Sequence, residues 1–293
     1  MADERFRPWG DVSDLLRLID VEPVDEDRWR APPSPGSQRG VVDGQQILAA
    51  TVVAAGKAEP SKRVANAHAV FCRIASVDVP LDFVARRVHS GRTFATLSIE
   101  ARQGDRVCAA ALVLLDNAAD DMITSSLRPP EIGGPDDATP IDMGITGRDL
   151  RIVDDTYSPD PELIGSPEIH AWMRYDRVGD RADLHRGLIA QLSGHFHVAA
   201  AMRPHAGVGE AQAHRTLSTG NLAITITFHR DASPGEWLLF TNRNTNAGRG
   251  LTFGTSEVFT QLGTHVASFS VQAMVRAFEP HARDSGRDEA TTM

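Results

Sequence analysis

The chain has 293 residues, 41% of them hydrophobic and 24% charged, with a formal net charge of −9. That length suits one large domain or two smaller ones with a substantial core, and an acidic balance gives no general reason to bind nucleic acid or an anionic membrane. No run of about 18 apolar residues predicts a membrane-spanning helix, and Cys72 and Cys108 stand in neither a Cys-x-x-Cys nor a Cys/His spacing, which argues against a disulfide framework or a metal knuckle.

The opening MADERFRPWG has no apolar stretch of the signal-peptide kind, so a cytoplasmic protein is expected. Residues 12–20 (VSDLLRLID) predict a short amphipathic helix with Ser13 as its N-cap, and residues 31–37 (APPSPGS) predict a loop. Gly44 to Ala55 is apolar almost all round, the mark of a buried helix. Strand-like runs follow at Asn66–Ile74, Leu81–His89, Thr93–Arg102 and Arg106–Leu115, the last three separated by turn signals at Ser90-Gly91 and Gly104-Asp105. Residues 116–165 are rich in Asp, Pro and Gly and read as a long connection. Then the pattern returns, with a strand at Glu168–Tyr175 and a helix at Leu184–Met202 capped by Asp183. Strands follow at Thr216–Phe228, Glu236–Asn244, Leu251–Thr260 and His265–Phe278, and a polar tail, 279–293, reads as disordered.

Strand, helix and four strands are thus given twice, and the fold class expected is α+β. One offset of 157 residues places Phe71-Cys-Arg73 on Phe228-His-Arg230 and Gly91-Arg92 on Gly248-Arg249, and two residues more places Gly104-x-x-Val107 on Gly263-x-x-Val266. Ordered matches on matching elements argue for a duplication. The expected domains are 1–116 and 166–278, joined by 117–165 and followed by the tail.

Several segments resemble the acyl-CoA thioesterase II, or TesB-like, family. Arg39-Gly-Val-Val-Asp-Gly-Gln45 is similar to the family segment that opens its first helix, Ala67-His-Ala-Val-Phe-Cys-Arg73 to its His-x-x-Phe-x-Arg strand, and Ser90-Gly-Arg-Thr-Phe94 to a turn. Asp183-Leu-His185, Phe228-His-Arg230, Glu236-Trp-Leu-Leu239, Gly248-Arg-Gly250 and Val266-Ala-Ser268 resemble pieces of its second half. The resemblance runs from about residue 11 to 277. It implies a double hotdog, two antiparallel sheets that each wrap a long helix and join edge to edge. It also implies hydrolysis of acyl-CoA to free acid and CoA by an activated water, without metal, cofactor or covalent intermediate.

The family's water-activating set is an Asp in the second helix after Leu-Ser, a Ser or Thr on the next strand and a Gln on the last. Here the first context reads Leu192-Ser193-Gly194, without the carboxylate. The hydroxyl position falls on Asn221, with Ser218 and Thr219 close by, and the Gln position falls on Val271, with Gln272 next to it. A one-residue slip on a strand turns a side chain to the other face, which only a bulge would reverse. Asn221 reads as facing away from Leu222, Ile224 and Phe228, and Gln272 as sharing a polar face with Ser268 and Ser270.

The catalytic candidates are therefore Asn221, Gln272, His195 as a replacement base near neutral pKa, and Asp43, either a helix cap or a base supplied by the first half. Gln45, Ser193, Gly248 and Arg249 are candidates for binding substrate, and the eleven histidines offer no metal spacing. Arg249, like Arg92 at the paired turn, would hold a structural carboxylate or a CoA phosphate. Two functions compete, a thioesterase with an altered site and a non-catalytic acyl-CoA-binding protein. A hydratase, which would need a histidine placed together with an aspartate, ranks below both. Acyl-CoA is the expected partner, nucleic acid and membrane are not expected, and homo-oligomerisation is left open.

Overall fold

The computed structural model describes residues 10–34, 40–155 and 160–277. Arg39 and the tail from Glu279 lie outside these. The first helix, α1 (Val12–Ile19), buries Val12, Leu15, Leu18 and Ile19. Its cap is Asp11, not Ser13, because the Asp11 carboxylate accepts from the backbone N–H of Ser13. Two short strands the sequence does not announce, β1 (Glu22–Asp25) and β2 (Arg28–Ala31), precede α2 (Gly44–Ala58). Almost every side chain of α2 is buried, as an all-apolar helix requires.

The first half continues with β3 (Arg63–Phe71), β4 (Leu81–Ser90), β5 (Phe94–Gln103) and β6 (Arg106–Asp116). The segment expected as a plain connection carries β7 (Thr139–Pro140) and β8 (Arg148–Ile152), and β8 pairs with β9 (Glu168–Tyr175). The single long helix expected next is two, α3 (Ala182–Leu192) and α4 (His197–Met202). Ser193 and Gly194 explain the break. The Ser193 hydroxyl donates to the Ala190 carbonyl at 2.6 Å, and glycine is a poor helix former. Asp183 lies in the first turn of α3, with Arg181 at the cap position. Strands β10 (Leu217–Phe228), β11 (Leu238–Gly248), β12 (Leu251–Thr260) and β13 (His265–Ala277) complete the chain.

All thirteen strands form one antiparallel sheet in the order β1-β2-β4-β5-β6-β3-β10-β13-β12-β11-β9-β8-β7. Its two halves meet edge to edge at β3 and β10, where Thr225 stands opposite His68, 157 residues away. Outside the β1–β2 pair, the same offset relates the sheet's irregularities. β3 has a bulge between Val64 and Asn66 and β10 between Asn221 and Ala223. β4 has one between Arg87 and His89 and β11 between Asn244 and Asn246. The register also slips after Ala101 on β5 and after Val258 on β12. Helices α2 and α3 lie together in the sheet's concavity, and one hydrophobic cluster runs through both halves. This is the double hotdog.

Within that core α2 and α3 run antiparallel and close. A methyl on Gly187 would lie 2.8 Å from a Val53 methyl and 3.3 Å from the Ala49 carbonyl. Their ends make reciprocal contacts. Gly56 meets Asp183 at one end, and Gly194 meets Gln45 at the other. Each glycine is twelve residues past its helix's first residue, and each partner is one residue past.

Candidate functional site

The end where α2 begins carries the polar groups. Asp43 occupies the N-cap position of α2 with extended backbone, but its carboxylate accepts no bond from the first turn. The first-turn N–H groups lack partners within the helix and concentrate partial positive charge. Gln45 follows on this turn and reaches Gly194: a methyl at 194 would sit 2.9 Å from Gln45 Cγ, 2.6 Å from Asn221 Nδ2 and 3.0 Å from a methyl of Ile224. The volume that a side chain at 194 would fill is therefore taken by the Asn221 amide, the Gln45 side-chain stem and an Ile224 methyl.

Asn221 reaches this point through the bulge on β10. Ile224 and Ile226 point into the core in strict alternation, and the extra residue, Leu222, resets that alternation so that Asn221 faces inward with Ile224. The expectation that Asn221 opposes Ile224 is thus corrected. Its Nδ2 donates to the Gly194 carbonyl at 3.3 Å, and its Oδ1 is buried with no hydrogen-bond partner. A buried acceptor left unpaired costs about 1–3 kcal/mol, so this oxygen is suited to a guest hydroxyl or water.

His195 points away from the amides. Its Nε2 lies 3.4 Å from the Met143 sulfur, which also accepts from Arg148 at 3.2 Å. Burial, with a smaller contribution from Arg148, pulls its pKa down to about 3. An imidazole that weakly basic does not serve as a base near neutrality, and the expected substitution of His195 for the family's Asp does not fit this geometry. Behind it Arg148 and Tyr175 hydrogen-bond each other, and the Tyr175 hydroxyl donates to Gln191 at 2.5 Å. Burial raises the Tyr175 pKa and lowers that of Arg148. The sequence gives no signal for this network, because Met143 and Arg148 lie in the segment read as a connection. His197 is fully buried, against Phe269, and burial lowers its pKa to about 4.

The remaining candidates stand elsewhere. Along β13 Val271 is buried and pairs with Ile224, whereas Gln272 is on the opposite face and donates to the Thr252 carbonyl at 3.0 Å. The bulge that would have turned it inward lies on the neighbouring strand. Ser193 is fully buried and spends its hydroxyl on Ala190, so it ends a helix and does not face a substrate. Gly248 and Arg249 form the exposed tip of the β11–β12 hairpin, Arg249 with φ of 57°. That tip shares an end of the sheet with Asn221, since Leu251 and Gly220 both pair with Met274. Among the described residues no group of three or more His, Cys, Asp or Glu side chains could hold a metal ion.

The twin end of the helix pair is built differently. There Asp183 is tied to Arg181 at 2.6 Å, Asp20 bridges Arg181 and Lys57, and the position equivalent to Asn221 is the buried Val64. Ion pairs and a methyl group replace the amides.

Solved structures share this architecture. The tesB protein of Mycobacterium avium subspecies paratuberculosis superposes with a TM-score of 0.77 at 20% identity, covering 90% of this chain and 98% of that one. The acyl-CoA thioesterase II TesB2 of Mycobacterium marinum gives 0.73 at 23% identity, covering 90% and 99%. A hot dog fold protein of Alicyclobacillus acidocaldarius gives 0.70 at 16% identity, covering 90% and 98%. The family models for the acyl-CoA thioesterase N-terminal and C-terminal domains match residues 32–115 and 128–275 in turn. With both domain models matched in order over most of its length, on a duplicated hotdog sheet, the chain belongs to the acyl-CoA thioesterase family.

Proposed function

We propose that the chain hydrolyses an acyl-CoA thioester to free acid and CoA by an activated water, with no covalent intermediate and no cofactor. The observation that carries the reading is the convergence of Gln45, the first turn of α2 and Asn221 upon Gly194. In this reading the first-turn N–H groups and the Gln45 amide stabilise the thioester oxyanion. The buried Oδ1 of Asn221 accepts a hydrogen bond from the attacking water and orients it. Asp43, at the cap of the same helix, takes the water's proton in place of the carboxylate missing at 194. Arg249, two strands from Asn221, meets a phosphate of the CoA. The cytoplasm, where acyl-CoA is available, is the compartment that suits this role.

A second reading, an acyl-CoA-binding protein without turnover, is favoured by Gly194 itself, which leaves amides where the family resemblance expects a carboxylate. Free thiol release from a panel of acyl-CoAs separates the two. Hydrolysis predicts release above the buffer rate that falls roughly tenfold or more in Asn221→Ala and in Gln45→Ala. Thermal stabilisation by acyl-CoA without release supports the binder, and neither release nor stabilisation would sink both readings.

A further inference from the structure

At the opposite end of α3 from Gly194, on the order of 10 Å away along the helix, the helix and the turn after β10 border an open pocket of about 250 Å³. Its lining includes Arg186 and Ile189 from α3, and Arg230, Asp231 and Ala232 from the turn. Arg186 is only 8% exposed, and its Nη2 donates to the Asp231 carboxylate at 2.5 Å, while its Nε is buried with no hydrogen-bond partner. Asp231 itself is largely in solvent. Among the described residues the ion-pair partner of Arg186 is this exposed carboxylate and its other contact is the face of the Phe228 ring at 5.9 Å, which leaves the buried charge under-compensated, because burial disfavours it and solvent screens the partner. Burial accordingly lowers the Arg186 pKa, against the opposing pull of Asp231. Arg230 adds a second guanidinium, held by Asp121 at 2.8 Å, and Ile189 and Ala232 add apolar wall. In the first half a smaller cavity, about 10 Å³, lies between α1, α2 and the loop after β3, lined mostly by apolar side chains.

We infer that this pocket is a second ligand site, separate from the Gly194 cluster, that takes a small oxyanion, a carboxylate or phosphate group with a short apolar flank, held by Arg186 and Arg230. A planar guanidinium pairs with either group through two parallel N–H···O bonds. The bound oxyanion shares Arg186 with Asp231 or displaces that exposed carboxylate. Ile189 and Ala232 cover the ligand's apolar part.

Calorimetric titration of the full chain with butyrate, and separately with inorganic phosphate, tests the site. One saturable binding event per chain is expected for at least one of them, and which one names the preferred headgroup. Arg186→Gln should weaken it roughly tenfold or more, the loss of one charge-assisted hydrogen bond. Ala232→Leu fills the pocket and leaves both arginines in place, so it decides the matter if Arg186→Gln fails to fold. It too should weaken binding by a similar factor. The inference is overturned if neither anion binds saturably, or if binding is unchanged in Ala232→Leu.

Discussion

His68 and Thr225 face each other across the seam between the two half-sheets, Nδ1 to Oγ1 at 2.8 Å, and they are the same position of the repeat, 157 residues apart. The pseudo-twofold axis therefore passes between them. In the helix layer it passes between Ala49 and Gly187, each five residues past its helix's first residue and close enough that a methyl on Gly187 would lie 3.3 Å from the Ala49 carbonyl. Sheet and helices thus share one axis, and the two site ends lie on either side of it.

The helix crossing should tolerate little volume. Gly187→Val places a branched side chain where even a methyl lies 2.8 Å from Val53, and overpacking of this kind costs about 1–3 kcal/mol. Thermal unfolding should begin several degrees lower. An unchanged melting temperature would mean that the two helices are not in close contact at Gly187.

The seam should depend on Asn66. Its Nδ2 donates to the Ile226 carbonyl at 3.1 Å and to the Thr227 hydroxyl at 2.8 Å, both across the junction. Asn66→Ala removes both bonds and should cost about 1–2 kcal/mol in urea unfolding. A neutral result would assign the cohesion of the halves to helix packing alone.

Restoring a carboxylate is the most direct probe of the chemistry. Gly194→Asp should raise thiol release about tenfold or more, with an acidic limb in the pH–rate profile, since a positioned general base contributes on this scale. The side chain fits only if Gln45 and Asn221 swing aside, so some loss of stability should accompany the gain. A well-folded variant with no gain at any pH would show that the missing carboxylate is not what limits the site.

The buried histidines should make the fold acid-sensitive. An unfolded histidine titrates near 6.5, while burial holds His197 at about 4 and His195 at about 3. Between those values the unfolded chain binds protons that the native one does not. Stability is therefore full above pH 6.5 and declines as pH falls, by at most about 1.4 kcal/mol per unit for each histidine. Urea midpoints at pH 7, 6 and 5 should show His197→Leu declining less steeply than the parent. Parallel slopes would contradict this origin.

The fold was readable because a duplication writes its landmarks twice, and turns such as Gly91-Arg92 and Gly248-Arg249 are local signals that survive without tertiary context. The strands β1, β2, β7 and β8 at and next to the two sheet edges were not readable, being too short for sustained alternation. The absent carboxylate at Gly194 showed plainly through its Leu-Ser context. The direction of Asn221 did not, because one extra residue on β10 inverts a facing deduced by counting. For Gln272 simple alternation gives the facing correctly, because the bulge lies on β10 and not on its own strand. The break in the second helix could be foreseen from Ser193-Gly194, yet the apolar run on both sides of it argued for continuity. The role of His195 depends on Met143 and Arg148, some fifty residues distant, beyond the reach of any spacing rule.

The paired irregularities of the sheet also speak to ancestry. Each extra residue reverses every side chain beyond it, so acquiring one late would scramble a packed strand. Three such events at matching points of both halves are far simpler to inherit than to invent twice. The forerunner was then a half-length chain with those kinks already present, closing as a symmetric pair whose two clefts were identical. Fusion freed them to diverge, one towards Gln45 and Asn221 and the other towards a knot of opposite charges.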